Sequence, residues 1–228
     1  MFQALQIGAT DTSPGGNSEG ALIDAFEQQG ARVPYEPGSE IFGQDEPAEY
    51  LYRVVRGTVR TTLLLADGRR QIGAFHYEGE LFGLELGDTH RFSAEALGDC
   101  LIGIVKRSAL RRDAGGDLQR AVWMATAREL ERTQDHMLLL GRKSACERVA
   151  GFLSDIVRRT RQVTIDLPMG RQDMADYLGL TIETVSRMIS QLQAGHVIQL
   201  LGPRRVVVRS PGVLHRLWEG EGVLSAAA

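Results

Sequence analysis

The chain has 228 residues, 43% of them hydrophobic and 24% charged, with a formal net charge of −3. That length suits one large core or two smaller ones, and the charge gives no global nucleic-acid signature. No apolar run reaches the length of a membrane span and the start lacks the charged-then-apolar form of a signal peptide, so a cytoplasmic protein is expected.

Residues 1–20 are small, polar and glycine-rich, which predicts a flexible arm. A short helix is expected over Ala21–Gln29. From Ala31 to Lys106 short apolar or alternating runs are punctuated by Gly and turn residues: Arg32–Glu36, Tyr50–Val55, Val59–Leu65, Gln71–Tyr77, Arg91–Leu97 and Cys100–Val105. Strands this short and evenly spaced predict an antiparallel sandwich or barrel, with a hairpin turn at Asp67-Gly68.

The period changes near Ser108, and no proline interrupts the run from Ser108 through Arg161. Leu118, Val122 and Ala125 form one stripe; Trp123, Ala127, Leu130, Met137 and Leu138 form a broader one. A helix apolar on two sides faces its own domain and something else, for which a second copy of the same helix is the natural partner. Val122, Trp123, Ala127, Leu130 and Met137 are therefore candidate dimer contacts. A second helix is expected from Lys143 to Arg159, with Val149, Phe152, Leu153 and Ile156 at helical spacing, and a short strand over Val163–Leu167.

The stretch from Gly170 to Leu192 reads as two helices around a tight break. Met174, Ala175 and Leu178 line one apolar face; Gly179 supplies the φ > 0 or close approach that ends the first helix. Thr181 is placed to cap the second, where Val185, Met188 and Leu192 form a single buried stripe. That spacing is a helix-turn-helix. Glu183, Ser186, Arg187 and Ser190 fall on the opposite face of its second helix. Arg187 offers guanine O6 and N7 a bidentate donor pair, Glu183 accepts from cytosine N4, and Ser186 meets either kind of edge. After Glu183 the next acid is Glu219, with Arg187, Arg204, Arg205, Arg209 and Arg216 between them, so a basic end sits on a mildly acidic chain. Val197–Leu201 and Arg204–Val208 around Gly202-Pro203 make a hairpin whose Arg204 and Arg205 suit a wing gripping phosphates. Residues 216–228 are read as a tail.

The two cysteines, Cys100 and Cys146, are far apart and have no CxxC partner, so neither a disulfide framework nor a zinc site is indicated; Cys146 reads as a packed thiol. The five histidines show no ligand spacing, and no metal is expected. There is no nucleophile elbow, phosphate-binding glycine loop or HExxH, so catalysis is not expected.

The order of parts, a glycine-punctuated β-roll, a long helix and a winged helix-turn-helix with Glu183-Thr-Val-Ser-Arg187, resembles the CRP/FNR superfamily of bacterial transcription regulators over Ala21 to Pro211. With Gly141–Leu153, it looks most like the FixK-type branch. The resemblance implies an α+β fold: an antiparallel β-roll like a cyclic-nucleotide-binding domain (21–107), a dimerisation helix (108–141) and a winged helix-turn-helix (142–215). It implies a homodimer that contacts RNA polymerase and regulates, as activator, microaerobic respiratory or nitrogen-fixation genes. Glu183, Ser186 and Arg187 match base-reading positions for a TTGA half-site. Ile182 stands where cyclic-AMP-type members carry a further arginine, which favours TTGA over TGTGA. Arg171, Gln172, Thr181 and Thr184 match phosphate contacts, and Ser190, Arg204 and Arg205 join them as candidates.

Two departures narrow the role. The N-terminal segment lacks the cysteines of a cluster-binding FNR, and Cys100 and Cys146 cannot supply four thiolates. In the roll, Glu85 is displaced by one position from the ribose-binding carboxylate, and Phe92 replaces the arginine that holds the cyclic phosphate. A buried phosphate without that partner is disfavoured. No cofactor is expected, and the reading is a regulator active without a small-molecule effector on TTGA-N6-TCAA. A regulator gated by cyclic nucleotide or another ligand is the alternative.

Overall fold

Residues 26, 30–85, 87–112 and 116–221 are described in the structure, a computed structural model. The arm expected over 1–20 and all but Phe26 of the helix expected over Ala21–Gln29 lie outside them. Eight strands follow: β1 (Ala31–Tyr35), β2 (Glu40–Phe42), β3 (Tyr50–Arg56), β4 (Val59–Leu64), β5 (Arg70–His76), β6 (Leu81–Phe82), β7 (Ser93–Ala96) and β8 (Cys100–Lys106). They form two antiparallel four-stranded sheets, ordered β1-β8-β3-β6 and β2-β7-β4-β5. Alternation assigns the faces. Tyr52 and Val54 of β3, with Cys100 and Ile102 of β8, point between the sheets into a cluster with Phe42, Val59 and Phe82. Leu51 and Val105, a cross-strand pair, point the other way. β2 and β6, too short for a period, are not among the expected runs, whereas the Asp67-Gly68 turn joins β4 to β5 as expected.

A 3-10 turn (Arg107–Arg112) precedes α1 (Asp117–Arg142), a helix of 26 residues. Ala121, with Val122 and Ala125 beside it, packs on Leu51, Leu81 and Val105 of the roll. The opposite stripe is bare: Trp123 is 71% exposed, Leu130 59% and Met137 65%, and Leu138 and Met124 are exposed as well. One helix thus carries two apolar faces, and the described residues cover only one of them.

The remainder is α2 (Ala145–Thr160), β9 (Thr164–Asp166), α3 (Arg171–Leu178), α4 (Ile182–Ala194), β10 (Ile198–Leu200), β11 (Arg205–Val208) and α5 (Pro211–Glu219). A capping box starts α2, Ser144 Oγ accepting from the Glu147 N–H and Glu147 Oε2 from the Ser144 N–H. The three short strands form an antiparallel sheet in the order β10-β11-β9. Helix α5 runs on to Glu219, across position 216 where the sequence suggests that a tail begins. Its start at Pro211, its buried Leu214 and Leu217 and its stop at Gly220 are ordinary helix signals that the Gly- and Ala-rich end obscured.

The core of this C-terminal part holds Val149, Leu153, Met174, Leu178, Val185, Leu192, Val206 and Leu214, but also Ile72 and Phe75 from β5 and Leu139 from α1. The roll and the long helix therefore contribute side chains to it. Ion pairs seal the same contact. Asp173 of α3 accepts from Arg60 of β4 and Arg70 of β5, each at 2.7 Å, and Asp176 accepts from Arg70. Glu80 binds Arg132 of α1 at 2.8 Å and Arg159 of α2 at 2.5 Å. Burial raises the Glu80 pKa, but the two guanidinium groups more than offset it and hold the carboxyl below its ordinary value.

Candidate DNA-reading site

Helix α3 ends at Gly179, whose φ of +60° strains any residue with a Cβ. A Cβ there would also lie 3.2 Å from Leu140 Cδ2, so both reasons for a glycine hold at once. Thr181 then caps α4, its hydroxyl oxygen accepting from the Thr184 N–H at 3.3 Å. Val185, Met188, Ile189 and Leu192 are buried and anchor α4; at about 2 kcal/mol per buried aliphatic side chain this stripe alone secures its orientation.

The other face is open. Glu183, Ser186, Arg187 and Ser190 are all exposed on α4. Glu183 sits in the first turn, where its own backbone N–H and then the Thr181 side chain hold its carboxyl below the usual carboxylate range. It is thus an ionised acceptor at neutral pH. Arg187 has no hydrogen-bond or ion-pair partner among the described residues, so its whole fork of donors is available. Ser190 Oγ donates back to the Ser186 carbonyl at 3.0 Å. The helix presents one carboxylate, one guanidinium and small hydroxyls over two turns, a set matched to base edges in a major groove.

The backbone-contact candidates divide in two. Thr181 caps α4, Thr184 lies in its first turn and Ser190 on its open face. Arg171 and Gln172 open α3, where Arg171 is half-buried against Met174 Sδ at 3.5 Å and Gln172 donates to Asp176 Oδ1 at 2.7 Å. In the wing, Arg204 is exposed beside the Pro168 carbonyl. Arg205 belongs to β11 and is held by a bidentate pair with Asp166 of β9, both at 2.7 Å. Its charge is therefore compensated, unlike that of Arg187. The arginine–aspartate pairs joining β4 and β5 to α3 had no signal in the sequence, since Arg60 and Asp173 lie 113 positions apart.

Inside the roll, aromatic rings fill the space between the sheets. His90 is fully buried and stacks on Phe42 at 3.6 Å between ring centres, with Tyr52 and Phe82 beyond. Burial lowers the His90 pKa against the pull of Glu85, whose Oε2 lies 3.3 Å from its Nδ1. Glu85 is thus engaged within the protein, with Arg107 at 3.7 Å. Phe92 packs on the bare backbone of Gly73.

A Crp-like helix-turn-helix domain matches residues 147–217, and a cyclic nucleotide-binding domain matches residues 32–112. The nitrogen fixation regulation protein FixK of Azorhizobium caulinodans is 49% identical over 82% of this chain and 79% of its own. The transcriptional activatory protein AadR of Rhodopseudomonas palustris is 40% identical over 82% of this chain and 81% of its own. The structure of FixK2 from Bradyrhizobium japonicum superposes with a TM-score of 0.77 at 51% identity, covering 82% of this chain and 96% of that one. No described helix is long and apolar enough to cross a membrane. With a roll, a long helix and a winged reading head in this order, the chain belongs to the CRP/FNR family of transcription regulators, with FixK proteins among its near relatives.

Proposed function

We propose that the chain acts as a homodimer that reads a TTGA-N6-TCAA palindrome and activates microaerobic respiratory or nitrogen-fixation genes with RNA polymerase, without a small-molecule effector. The observation that carries this is the open face of α4, where Glu183, Ser186 and an Arg187 without a partner among the described residues stand clear of a buried opposite stripe. Each subunit would place α4 in one major groove, with half-sites centred about one helical turn, ~34 Å, apart. Arg171, Gln172, Thr181, Thr184, Ser190, Arg204 and Arg205 would hold phosphates. The bare stripe of α1, with Trp123, Leu130 and Met137 seven residues apart, supports pairing with a second α1, Ala127 being half-buried and Val122 instead turned towards the roll. The effector-free reading is supported by the filled roll, with His90 and Phe42 stacked between the sheets and Glu85 already paired.

Fluorescence anisotropy of the bare protein on TTGA-N6-TCAA, TGTGA and scrambled duplexes tests this. Tight, TTGA-selective binding is expected, with Arg187→Ala losing about 1–3 kcal/mol and the discrimination at its base. Binding only after cyclic AMP is added, or a preference for TGTGA, would overturn it.

A further inference from the structure

Arg148 stands in the first turn of α2, four residues past the capping Ser144. Its side chain turns back over the two-residue link to α1 and spends every guanidinium nitrogen on a main-chain carbonyl. Nε donates to Lys143 O, Nη2 to Leu140 O and Nη1 to Leu178 O, each at 2.9 Å. Leu140 and Lys143 close α1, and Leu178 closes α3. These are carbonyls that helix ends leave without partners, and both helices point the negative end of their dipole at this cation. The contact is tight: a Cβ on Gly179 would lie 3.4 Å from Arg148 Nη1 and 3.2 Å from the Leu140 side chain. One planar group thus fixes the end of the long helix to the turn of the helix-turn-helix. A lysine offers one mobile point charge in place of three donors set in a plane.

We propose that Arg148 is a positioning residue for DNA reading: it sets the angle at which the helix-turn-helix leaves α1, and so the half-site spacing the dimer accepts. This rests on the dimeric reading above. Touching no DNA, Arg148 acts only through the two helix ends that it joins.

Arg148→Lys separates this role from plain stabilisation. Wild-type and variant proteins are titrated by anisotropy against TTGA half-sites spaced by five, six, seven and eight base pairs, and against one half-site alone. The variant is expected to keep its selectivity for TTGA over a scrambled half-site while its six-over-eight preference falls roughly tenfold. A merely structural residue would weaken all spacings alike, and a wild-type spacing ratio in the variant overturns the proposal. A second measurement needs no DNA. Nitroxides replacing Glu131 on α1 and Gln193 on α4, both exposed, report one distance within a chain in a Cys146→Ser background diluted with unlabelled protein. A narrow distribution that broadens in Arg148→Lys supports the role; an equally narrow one overturns it. Should the wild type show no TTGA preference, the reading of the bases falls, and the distance measurement still decides the role of Arg148.

Discussion

Arg187 stands on α4 without an ion-pair partner among the described residues, whereas Arg205 on β11 is gripped by Asp166 through two 2.7 Å hydrogen bonds. Both members of that pair are more than half exposed, 56% and 65%, so water and salt screen it and a phosphate could displace the aspartate. The local balance of charge in the wing therefore follows from Asp166 as much as from the arginines. Asp166→Asn is expected to strengthen binding to every sequence alike and to steepen the dependence of log affinity on log salt by about one. An unchanged slope in a salt titration would mean that Arg205 stays off the backbone. The carboxylate of Glu183 plays the opposite part: kept ionised by its place at the helix start, it would repel phosphate and, in the proposed reading, be tolerated only where it meets a donor on a base.

Helix α1 buries Ala121 against the roll and leaves Trp123, Leu130 and Met137 to solvent. Large apolar residues repeating at a seven-residue interval on a free surface are the mark of a helix that pairs. Leu130→Asp is expected to sediment as a monomer with unchanged helix content and to bind the palindrome roughly a hundredfold more weakly, since the second half-site is then no longer tethered. A dimer that survives the substitution would place the contact elsewhere. What could be read of each element depended on its length. The period of α1, the turn chemistry at Gly179 and Thr181 and the alternation of β3 and β8 were legible because each repeats or carries a distinctive residue. β2 and β6, three and two residues long, offer no period to read. Helix α5 was hidden by glycines at both of its ends, although Val213, Leu214 and Leu217 carried the pattern. The exposed face of α4 proposed to read bases could be named from spacing because one helix holds all of it. The compensation of Arg205 by Asp166 could not, since it arises from strand pairing between residues 39 apart.

At the scale of the molecule, the contact between the roll and the reading head is neither a bare link nor a simple hydrophobic seam. Asp173, 12% exposed at its side chain, sits between Arg60 and Arg70 and also caps α3, accepting from the Gly170 N–H at 3.3 Å. Asp173→Asn keeps the shape but has one acceptor oxygen: held on the Gly170 N–H, it turns an amide NH2 towards Arg60 and Arg70, two largely buried arginines left short of a counter-charge. It is expected to cost about 3 kcal/mol, and so roughly 10 °C in Tm, in a thermal melt followed by circular dichroism. A shift under about 2 °C would show that the surrounding carboxylates of Glu95 and Asp176 suffice.

The presence of Ile72, Phe75 and Leu139 in the core of the reading head bears on how such regulators can be recombined. A chimera cut at the link between α1 and α2 would sever two residues of backbone, yet graft the new head onto side chains shaped for the old one. Those three residues, with Arg60 and Arg70, would have to travel with any head that is exchanged. The functional border of the head thus runs along a surface inside the fold, and crossover points that respect it lie at the outer ends of β4 and β5 rather than between the helices.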